Sequence, residues 1–221
     1  MNDLPNVEQS YAVELVRKTI HLCSLSIPIV YYFISKSTAL TILIPLTLVF
    51  GLSDLARIYH PATRELYHKL FGWLLRKRER DDNERHLTGA TYVLLSACIF
   101  MWLFPKVIFI TAFSILIISD TLAALVGRKF GKHRLLKKSL EGTAAFFLSA
   151  LVVVALAPKV GSGTSEYIVG AVASLVGAII EAWFTLFDDN LSVPLSVGAT
   201  MWLLYILFLP TINVYALDIL R

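Results

Sequence analysis

The chain has 221 residues, of which 57% are hydrophobic and 16% charged, with a net charge of +4 and a mean hydropathy of +0.69. Soluble domains contain about 45–50% apolar and about 25% charged residues, so this composition excludes an ordinary soluble globule and predicts a multi-pass membrane protein with one compact domain, residues 1–221. The cations cluster in loops beside apolar segments, which excludes the basic surface of a nucleic-acid-binding protein.

Seven apolar segments predict an all-α transmembrane helical bundle of about seven spans. Several segments are shorter than the ~20 residues that cross the hydrocarbon core, so their ends are expected to extend into the flanking turns. The predicted spans lie near Thr19–Ile34, Thr38–Leu55, Thr91–Phe104, Lys106–Val126, Thr143–Ala157, Tyr167–Phe187 and Leu191–Leu209.

The distribution of Lys and Arg predicts the orientation of the bundle. Sixteen of the 20 lie on one side: two in the N-terminal segment, eight within residues 57–85 and six after the fourth predicted span. The positive-inside rule then predicts a cytoplasmic N-terminus and, for an odd number of spans, an external C-terminus. The polar residues gather at the same cytoplasmic ends, where a site would receive a soluble charged substrate and a lipid together.

The first predicted span begins with polar residues on one helical face. Arg17, Lys18 and His21 follow Glu14 at spacings of three, four and seven residues, which places all four on the same side of a helix. Juxtamembrane cations often meet lipid headgroups, and this interpretation is as favourable as a site role for Arg17 and Lys18. His21 lies one turn deeper, where we expect an imidazole to belong to a polar site.

The region after the second predicted span contains two further features. Asp54 and Arg57 are three residues apart, and a helix-end ion pair and a site role are equally favoured for them. Residues Leu66–Leu75 have an amphipathic pattern that predicts a helix on the membrane surface. Just before the third span, Arg85 and His86 are further candidates for a site.

The stretch 119–142 carries the strongest signal of a site. Asp120, Ala123 and Gly127 recur at helical spacing, so one stripe carries a carboxylate and small residues. Six cations follow, namely Arg128, Lys129, Lys132, Arg134, Lys137 and Lys138. A carboxylate at the end of a membrane helix beside six cations indicates a site for a metal-bound polyphosphate. A positive-inside loop alone would explain the cations but neither Asp120 nor the glycines.

The sixth predicted span carries small residues on the stripe that leads to Glu181. The stripe consists of Gly170, Ser174, Gly177 and Ala178. Small residues permit close helix packing, and an ionisable group in a span is a functional hypothesis by default. Asp188, Asp189 and Asn190 then begin the next helix. An N-cap would use one of them, so three polar acceptors in a row indicate a second metal or phosphate anchor.

Several catalytic motifs are absent from the sequence. The segment Gly127–His133 is one residue short of a Walker A motif and has no Ser or Thr after its Lys. The chain contains no HExxH, no CxxC and no nucleophile elbow. These absences argue against hydrolysis by a bound zinc ion or by a covalent serine.

Three groups of motif residues stand in order along the chain. They are Arg17-Lys18-x-x-His21; then Asp120-x-x-Ala123-x-x-x-Gly127-Arg128-x-Phe130-Gly131-Lys132 with Lys138-Ser139-x-Glu141-Gly142; and finally Glu181-Ala182 with Asp189-Asn190-Leu191-x-x-Pro194-Leu195. This pattern resembles the polyprenol kinase family, which includes dolichol kinase, phytol kinase and the CTP-dependent diacylglycerol kinase. The central motif is also similar to that of phosphatidate cytidylyltransferase, whose long C-terminal signature is not recognisable here.

The resemblance implies CTP as the phosphoryl donor, a divalent cation such as Mg²⁺, and a membrane lipid alcohol as the acceptor. It implies Asp120 as a magnesium ligand, with Asp189 and Asn190 as the second anchor. The residues implied to bind the nucleotide phosphates are Gly127, Arg128, Gly131, Lys132, Lys138, Ser139, Glu141, Gly142, Arg17 and Lys18. Asp120 and Lys138 would act in catalysis, and either Glu181 or His21 would be the general base.

Two other functions are weighed against a CTP-dependent lipid kinase. A phosphatidate cytidylyltransferase would make CDP-diacylglycerol and release pyrophosphate, and it would need no general base. A transporter would need polar residues that continue through to the opposite membrane face, which this sequence lacks. The sequence does not determine whether the acceptor is phytol, polyprenol or diacylglycerol. It also leaves open whether the protein forms a homo-oligomer. We expect the inner membrane of a prokaryote, or the endoplasmic reticulum or plastid of a eukaryote.

Overall fold

The computed structural model describes residues 11–75, 79, 86–136, 138–161, 163–183 and 188–219. Within these ranges the chain forms ten helices and one two-stranded antiparallel hairpin. Their bounds are α1 (Tyr11–Cys23), α2 (Ser26–Phe33), α3 (Lys36–Tyr59), α4 (Pro61–Phe71), α5 (Gly89–Leu103), α6 (Lys106–Phe130), β1 (Arg134–Leu135), β2 (Lys138–Ser139), α7 (Leu140–Leu156), α8 (Ser165–Trp183), α9 (Asp189–Phe208) and α10 (Ala216–Ile219).

The prediction of an all-α membrane fold is confirmed. Four helices, α3, α6, α8 and α9, are long and apolar enough to cross a membrane, and α5 and α7 are shorter apolar helices. The first predicted span consists of two helices, because α1 ends at Cys23 and α2 begins at Ser26. The count of seven spans and the cytoplasmic N-terminus stay predictions.

Helix α6 lies at the centre of the bundle. In its most apolar stretch 78% of the residues are buried, and it packs against α7, α9, α1, α2 and α5. A helix that is apolar all round belongs in an interior, which explains its position. The corresponding stretch of α3 is only 17% buried, and its exposed side chains include Ile42, Leu48 and Val49. Such a surface suits lipid and not water.

Small residues set the close approach of α8 to its neighbours. The predicted stripe faces inward, since Gly170, Ser174, Gly177 and Ala178 are all buried. A Cβ atom on Gly177 would lie 2.6 Å from Cγ2 of Val197 in α9, and one on Gly170 would lie 2.5 Å from Cγ1 of Val154 in α7. The stripe therefore brings α7, α8 and α9 together and carries Glu181 into the interior.

The two ends of α6 contact different parts of the chain. At its first residue, the backbone N–H of Lys106 donates to Asp218 (3.0 Å) and the side chain donates to the carbonyl of Ile34 (2.9 Å). At the same end Glu166, which the sequence did not single out, accepts hydrogen bonds from two backbone N–H groups and from Tyr205 (2.6 Å). The other end of α6 meets α1, so α1 and α10 lie at opposite ends of the bundle.

The amphipathic helix after the second predicted span is confirmed, with different bounds. It begins at Pro61, five residues before the predicted start, and ends at Phe71. Proline suits the first position of a helix because the missing N–H would be unpaired there. Leu66 and Leu70 are more than half exposed, as a helix on a membrane surface requires.

Candidate functional site

The polar face of α1 points into the bundle, as its spacing predicts. Glu14 and Lys18 are buried. The Glu14 carboxylate lies 3.0 Å from Nη1 of Arg17 and 3.3 Å from Nη2 of Arg128 at the end of α6. Two of the predicted phosphate-binding cations, from the first and the central motif, are thus held by one carboxylate.

Asp120 forms an ion pair with Lys18. The Lys18 ammonium contacts the Asp120 carboxylate and also lies 3.3 Å from the Asp120 backbone oxygen. His21 joins them, with its Nε2 atom 3.8 Å from Oδ2 of Asp120. A buried carboxylate without a counter-charge is strongly unfavourable, so Lys18 of α1 neutralises Asp120. Asp120 lies ten residues before the end of α6, whereas the sequence predicted it at the helix end.

Lys138 joins the two acidic groups of the C-terminal motif. Its ammonium contacts Glu181 and lies 3.0 Å from Oδ2 of Asp189. Burial lowers the pKa of Lys138, but the carboxylates of Asp189, Glu181 and Asp120 raise it by more, so the pKa stands above its ordinary value. The side chain is therefore a cation at neutral pH. Oε2 of Glu181 is buried and has no hydrogen-bond partner among the described residues, which leaves one oxygen able to accept.

A cavity of about 200 Å³ brings the three motifs together. The motif residues that line it are Arg17, Lys18, His21, Asp120 and Asn190, and Ser24, Glu79 and Thr88 are further polar residues in its wall. Tyr67 and Phe71 of α4 line the opposite wall, so the amphipathic helix covers the site. The sequence predicted that this helix is amphipathic. The amphipathic pattern does not show which part of the protein the helix packs against, so its position over the cavity was not predicted.

The acceptors at the start of α9 have separate roles. Asp188 is the N-cap, and it accepts from the backbone N–H (3.1 Å) and the side-chain amide (2.5 Å) of Asn190. The single-cap interpretation therefore accounts for Asp188, while Asp189 meets Lys138 and Asn190 lines the cavity. The two residues predicted to form the second anchor, Asp189 and Asn190, therefore have different surroundings.

The carboxylates fit a magnesium ion that substrate phosphates complete. Among the described residues, no group of three or more His, Cys, Asp or Glu side chains is placed to hold a metal alone. Mg²⁺ usually takes one or two carboxylates together with phosphate oxygens and water. Asp120 and Asp189 offer two such carboxylates, and they would hold the ion together with the phosphate oxygens of a substrate.

The loop between α6 and α7 is folded back on the helices. Ser139 caps α7 by accepting from the N–H of Gly142 (3.1 Å), and Glu141 accepts from the His133 ring (2.8 Å). Ser139 is therefore the N-cap of α7. Lys132 is exposed at the start of this loop, and Lys137 lies outside the described residues.

Glycines permit the crossing of α6 and α7. A Cβ atom on Gly142 would lie 2.9 Å from the Ala123 carbonyl oxygen, and one on Gly127 would lie 2.9 Å from Oγ of Ser139. A Cβ atom on Gly131 would lie 2.9 Å from the same Oγ. Close helix packing therefore explains why glycine is needed at these three positions, whether or not they also bind a phosphate.

Asp54 and Arg57 connect α3 to the segment before α5. Asp54 accepts from Thr88, through both its backbone N–H (2.7 Å) and its hydroxyl (2.8 Å), and from Thr91 (2.7 Å). Arg57 donates to the carbonyl of His86 (2.8 Å) and pairs with Asp54 (3.3 Å). Of the two interpretations, the structure favours the ion pair. Arg85 lies outside the described residues.

No protein-family model matches the chain, and no solved structure matches it. Several curated proteins are similar to the chain, among them the following three. An uncharacterized protein of Rickettsia prowazekii is 31% identical over 192 residues, which cover 85% of this chain and 93% of that protein. A dolichol kinase of Schizosaccharomyces pombe is 31% identical over 146 residues, 58% of this chain and 27% of the kinase. The CTP-dependent diacylglycerol kinase 1 of that organism is 32% identical over 98 residues, 43% of each chain.

The chain is related to the polyprenol and lipid kinases that these enzymes represent. It spans nearly all of the Rickettsia protein but less than half the length of either kinase. Residues of all three motifs meet around Asp120 and Lys138. They come from α1, α6, β2, α8 and α9, and the fold therefore gathers the three motifs at one end of the bundle.

Proposed function

We propose that the protein is a CTP-dependent kinase that phosphorylates a membrane lipid alcohol at the cytoplasmic face. The observation that carries the proposal is the cavity lined by α1, α6 and α9, which places His21, Asp120 and Asn190 beside two cations. The similarity to a dolichol kinase and to a CTP-dependent diacylglycerol kinase supports the same reaction.

Phosphoryl transfer needs positioning and charge neutralisation more than covalent help from the protein. Lys18 and Lys138 now hold the carboxylates of Asp120, Glu181 and Asp189. In the proposed reaction the ammonium groups of both lysines leave these carboxylates and bind the phosphates of the nucleotide. The phosphates carry more negative charge than the carboxylates and therefore attract the lysines more strongly. The carboxylates are then free to act as ligands, and a bound Mg²⁺ would neutralise the charge that develops on the transferred group.

The acceptor hydroxyl needs a base in the same place. Its oxygen attacks the γ-phosphorus, the bond to the β-phosphate oxygen breaks, and CDP leaves. The hydroxyl proton passes either to Glu181, whose Oε2 atom has no partner among the described residues, or to His21 beside Asp120. Both stay candidates, and Glu181→Gln and His21→Gln variants compared at saturating CTP separate them.

Double labelling tests the reaction. The purified protein in detergent receives CTP labelled at either the α or the γ position, with Mg²⁺, a panel of lipid alcohols and phosphatidate. We expect γ-label in a lipid phosphate, and no transfer by the Asp120→Asn variant. Transfer of α-label to phosphatidate would instead establish a cytidylyltransferase. A wild-type protein that transfers neither label would contradict the proposal, and solute flux without nucleotide would then support the transporter.

A further inference from the structure

The cavity of the candidate site is polar inside and apolar where it opens. Among the described residues of its wall, the most exposed are Ile20 of α1, Phe71 of α4 and Ala90 of α5, and we call these three the rim. Ile20 is 51% exposed and Phe71 47%, whereas Asp120 in the same wall is only 8% exposed. The opening therefore suits an apolar molecule, although the interior carries the charges.

Helix α4 borders the bilayer with one face and the cavity with the next. Leu66 and Leu70 are four residues apart and exposed, and they form the face that a surface helix places in the membrane. Tyr67 and Phe71, each one residue further along, line the cavity. Successive residues of a helix are about 100° apart, so the two faces lie side by side. The cavity therefore meets the bilayer at α4.

A network around Arg57 fixes the side of the wall that α4 and α5 share. Arg57 donates to the carbonyl of Glu79 (2.7 Å), and its guanidinium lies 5.5 Å from the ring centre of Tyr67. The Glu79 carboxylate accepts from the backbone N–H of Gly89 (3.3 Å). Tyr67, Glu79 and Gly89 all line the cavity. Arg57 is thus a positioning residue for this wall, and the rim remains as the opening.

The volume of the cavity limits how much of an acceptor it encloses. The cavity measures about 200 Å³, less than the roughly 300–1,000 Å³ of sites that enclose a whole small ligand. A lipid alcohol would therefore place only its hydroxyl and nearest carbons inside, while its tail crosses the rim and stays in the bilayer. The phosphates of a nucleotide are not expected to cross an apolar rim, because an unpaired charge is costly there. Arg128 and Lys132, by contrast, are exposed on the loop side.

On the basis of the proposed function, we propose that the acceptor enters the site laterally from the bilayer between α1 and α4, and that Ile20 and Phe71 select it by contacting the carbons next to its hydroxyl. CTP enters separately from the aqueous side, at the loop that carries Lys132 and Lys138. The rim discriminates between acceptors by the bulk beside the hydroxyl, and the tail beyond it contributes little to the choice.

Acceptor kinetics in nanodiscs test the role of Phe71. Farnesol and dioctanoylglycerol are supplied as acceptors to the wild type and to Phe71→Ala. For each alcohol that the wild type phosphorylates, we expect the variant to raise the KM about tenfold, as the loss of one partly buried aromatic contact predicts. The KM of CTP stays unchanged, because the nucleotide does not pass the rim. An equal rise of both KM values, or no rise of either, would overturn the inference.

The matched control is Leu70→Ala. Leu70 is exposed on the same helix and does not line the cavity, so this variant removes a similar apolar contact with the membrane and leaves the wall intact. We expect every KM to stay within about twofold of the wild type. A rise equal to that of Phe71→Ala would show that membrane attachment of α4, and not the rim, is responsible.

Photolabelling gives a readout that needs no turnover. Farnesol and dioctanoylglycerol analogues, each with a diazirine close to the hydroxyl, are irradiated with the protein in nanodiscs, with and without an excess of the unlabelled alcohol. We expect adducts near Ile20 and Phe71 that the excess removes. Ile20→Trp, which narrows the rim, should reduce labelling by the branched dioctanoylglycerol probe more than by the slender farnesol probe.

The outcomes of the labelling separate the two proposals. Competed adducts that lie only on other lipid-facing helices such as α3, or equal loss of both probes in Ile20→Trp, would overturn the lateral entry, even if phosphate is transferred. Adducts at the rim in a wild-type protein that transfers no phosphate to either alcohol would overturn the kinase reaction alone.

Discussion

Lys18 and Asp120 are 102 residues apart in the sequence and form a buried ion pair at the centre of the candidate site. This pair is expected to affect both the stability of the fold and the reaction, and different variants distinguish the two effects. The charge of Lys18 stabilises the fold by compensating Asp120, and in the proposed reaction Asp120 also holds the metal. A loss of stability and a loss of chemistry must therefore be measured independently.

Asp120→Asn leaves the Lys18 ammonium buried without its carboxylate. We expect this variant to lose about 3 kcal/mol of stability, the usual cost of breaking a buried pair from one side, and to lose phosphoryl transfer. Thermal unfolding in detergent measures the first effect and γ-label transfer the second.

The double variant Lys18→Met/Asp120→Asn is the control for that prediction. It removes both charges, so we expect most of the stability to return while phosphoryl transfer stays absent. Recovery of activity in the double variant would contradict a role of Asp120 in chemistry.

At the scale of the elements, the crossing of α6 and α7 depends on Gly142. In Gly142→Ala the new methyl group would lie 2.9 Å from the Ala123 carbonyl oxygen, so one of the two helices must shift. We expect a loss of about 1–3 kcal/mol of stability, as for other overpacked positions, measured by thermal unfolding in detergent.

Gly51→Ala in α3 is the matched control for this crossing. A Cβ atom there has nothing within 4 Å, and alanine has the higher helix propensity. We expect this variant to be at least as stable as the wild type. Equal destabilisation by both substitutions would show that the crossing is not the cause.

The Asp54 network is a second element-scale feature, because it joins α3 to the first turn of α5. Asp54→Asn replaces a carboxylate that serves Thr88, Thr91 and Arg57. We expect a loss of about 3 kcal/mol, since the Arg57 guanidinium stays buried without the negative charge of Asp54. Unfolding curves check this value, and Glu65→Gln on the exposed surface of α4 should leave stability within about 0.5 kcal/mol.

At the scale of the whole molecule, the termini of the described chain lie at opposite ends of α6. Glu14 of α1 meets Arg128, whereas Asp218 of α10 meets Lys106. Together with the distribution of Lys and Arg, this predicts a cytoplasmic N-terminus and an external C-terminus. Single cysteines introduced near each terminus of a cysteine-free variant, tested with a membrane-impermeant thiol reagent on intact cells, should label only at the C-terminal position. Labelling of both, or of the N-terminal position alone, would contradict the orientation.

The sequence predicts the apolar helices well because long apolar runs determine them directly. The inward faces of α1 and α8 were also predictable, since spacing alone places Glu14 with Lys18 and Gly170 with Gly177 on one side. The spacing of residues along a helix does not predict which other helix its inward face will pack against. The pairing of Lys18 with Asp120, and the position of α4 over the cavity, depend on how distant elements pack and were therefore missed.

Two further differences have local causes. The break between α1 and α2 falls just before Pro28, a residue that suits the first turn of a helix better than its interior. Hydropathy alone does not show this break. The division of roles among Asp188, Asp189 and Asn190 depends on side-chain direction at a helix N-terminus, which residue types alone do not determine.

The central position of α6 has a consequence for how the protein is made. Helices α1, α2 and α5 precede it in the chain, whereas α7 and α9, which cover its remaining sides, are synthesised afterwards. During synthesis α6 therefore meets lipid on the side that its later neighbours will occupy. Lys18 already exists at that stage, so Asp120 can be neutralised as soon as α6 enters the membrane. The ion pair with Lys18 would thus compensate the charge of Asp120 before α7 and α9 are in place.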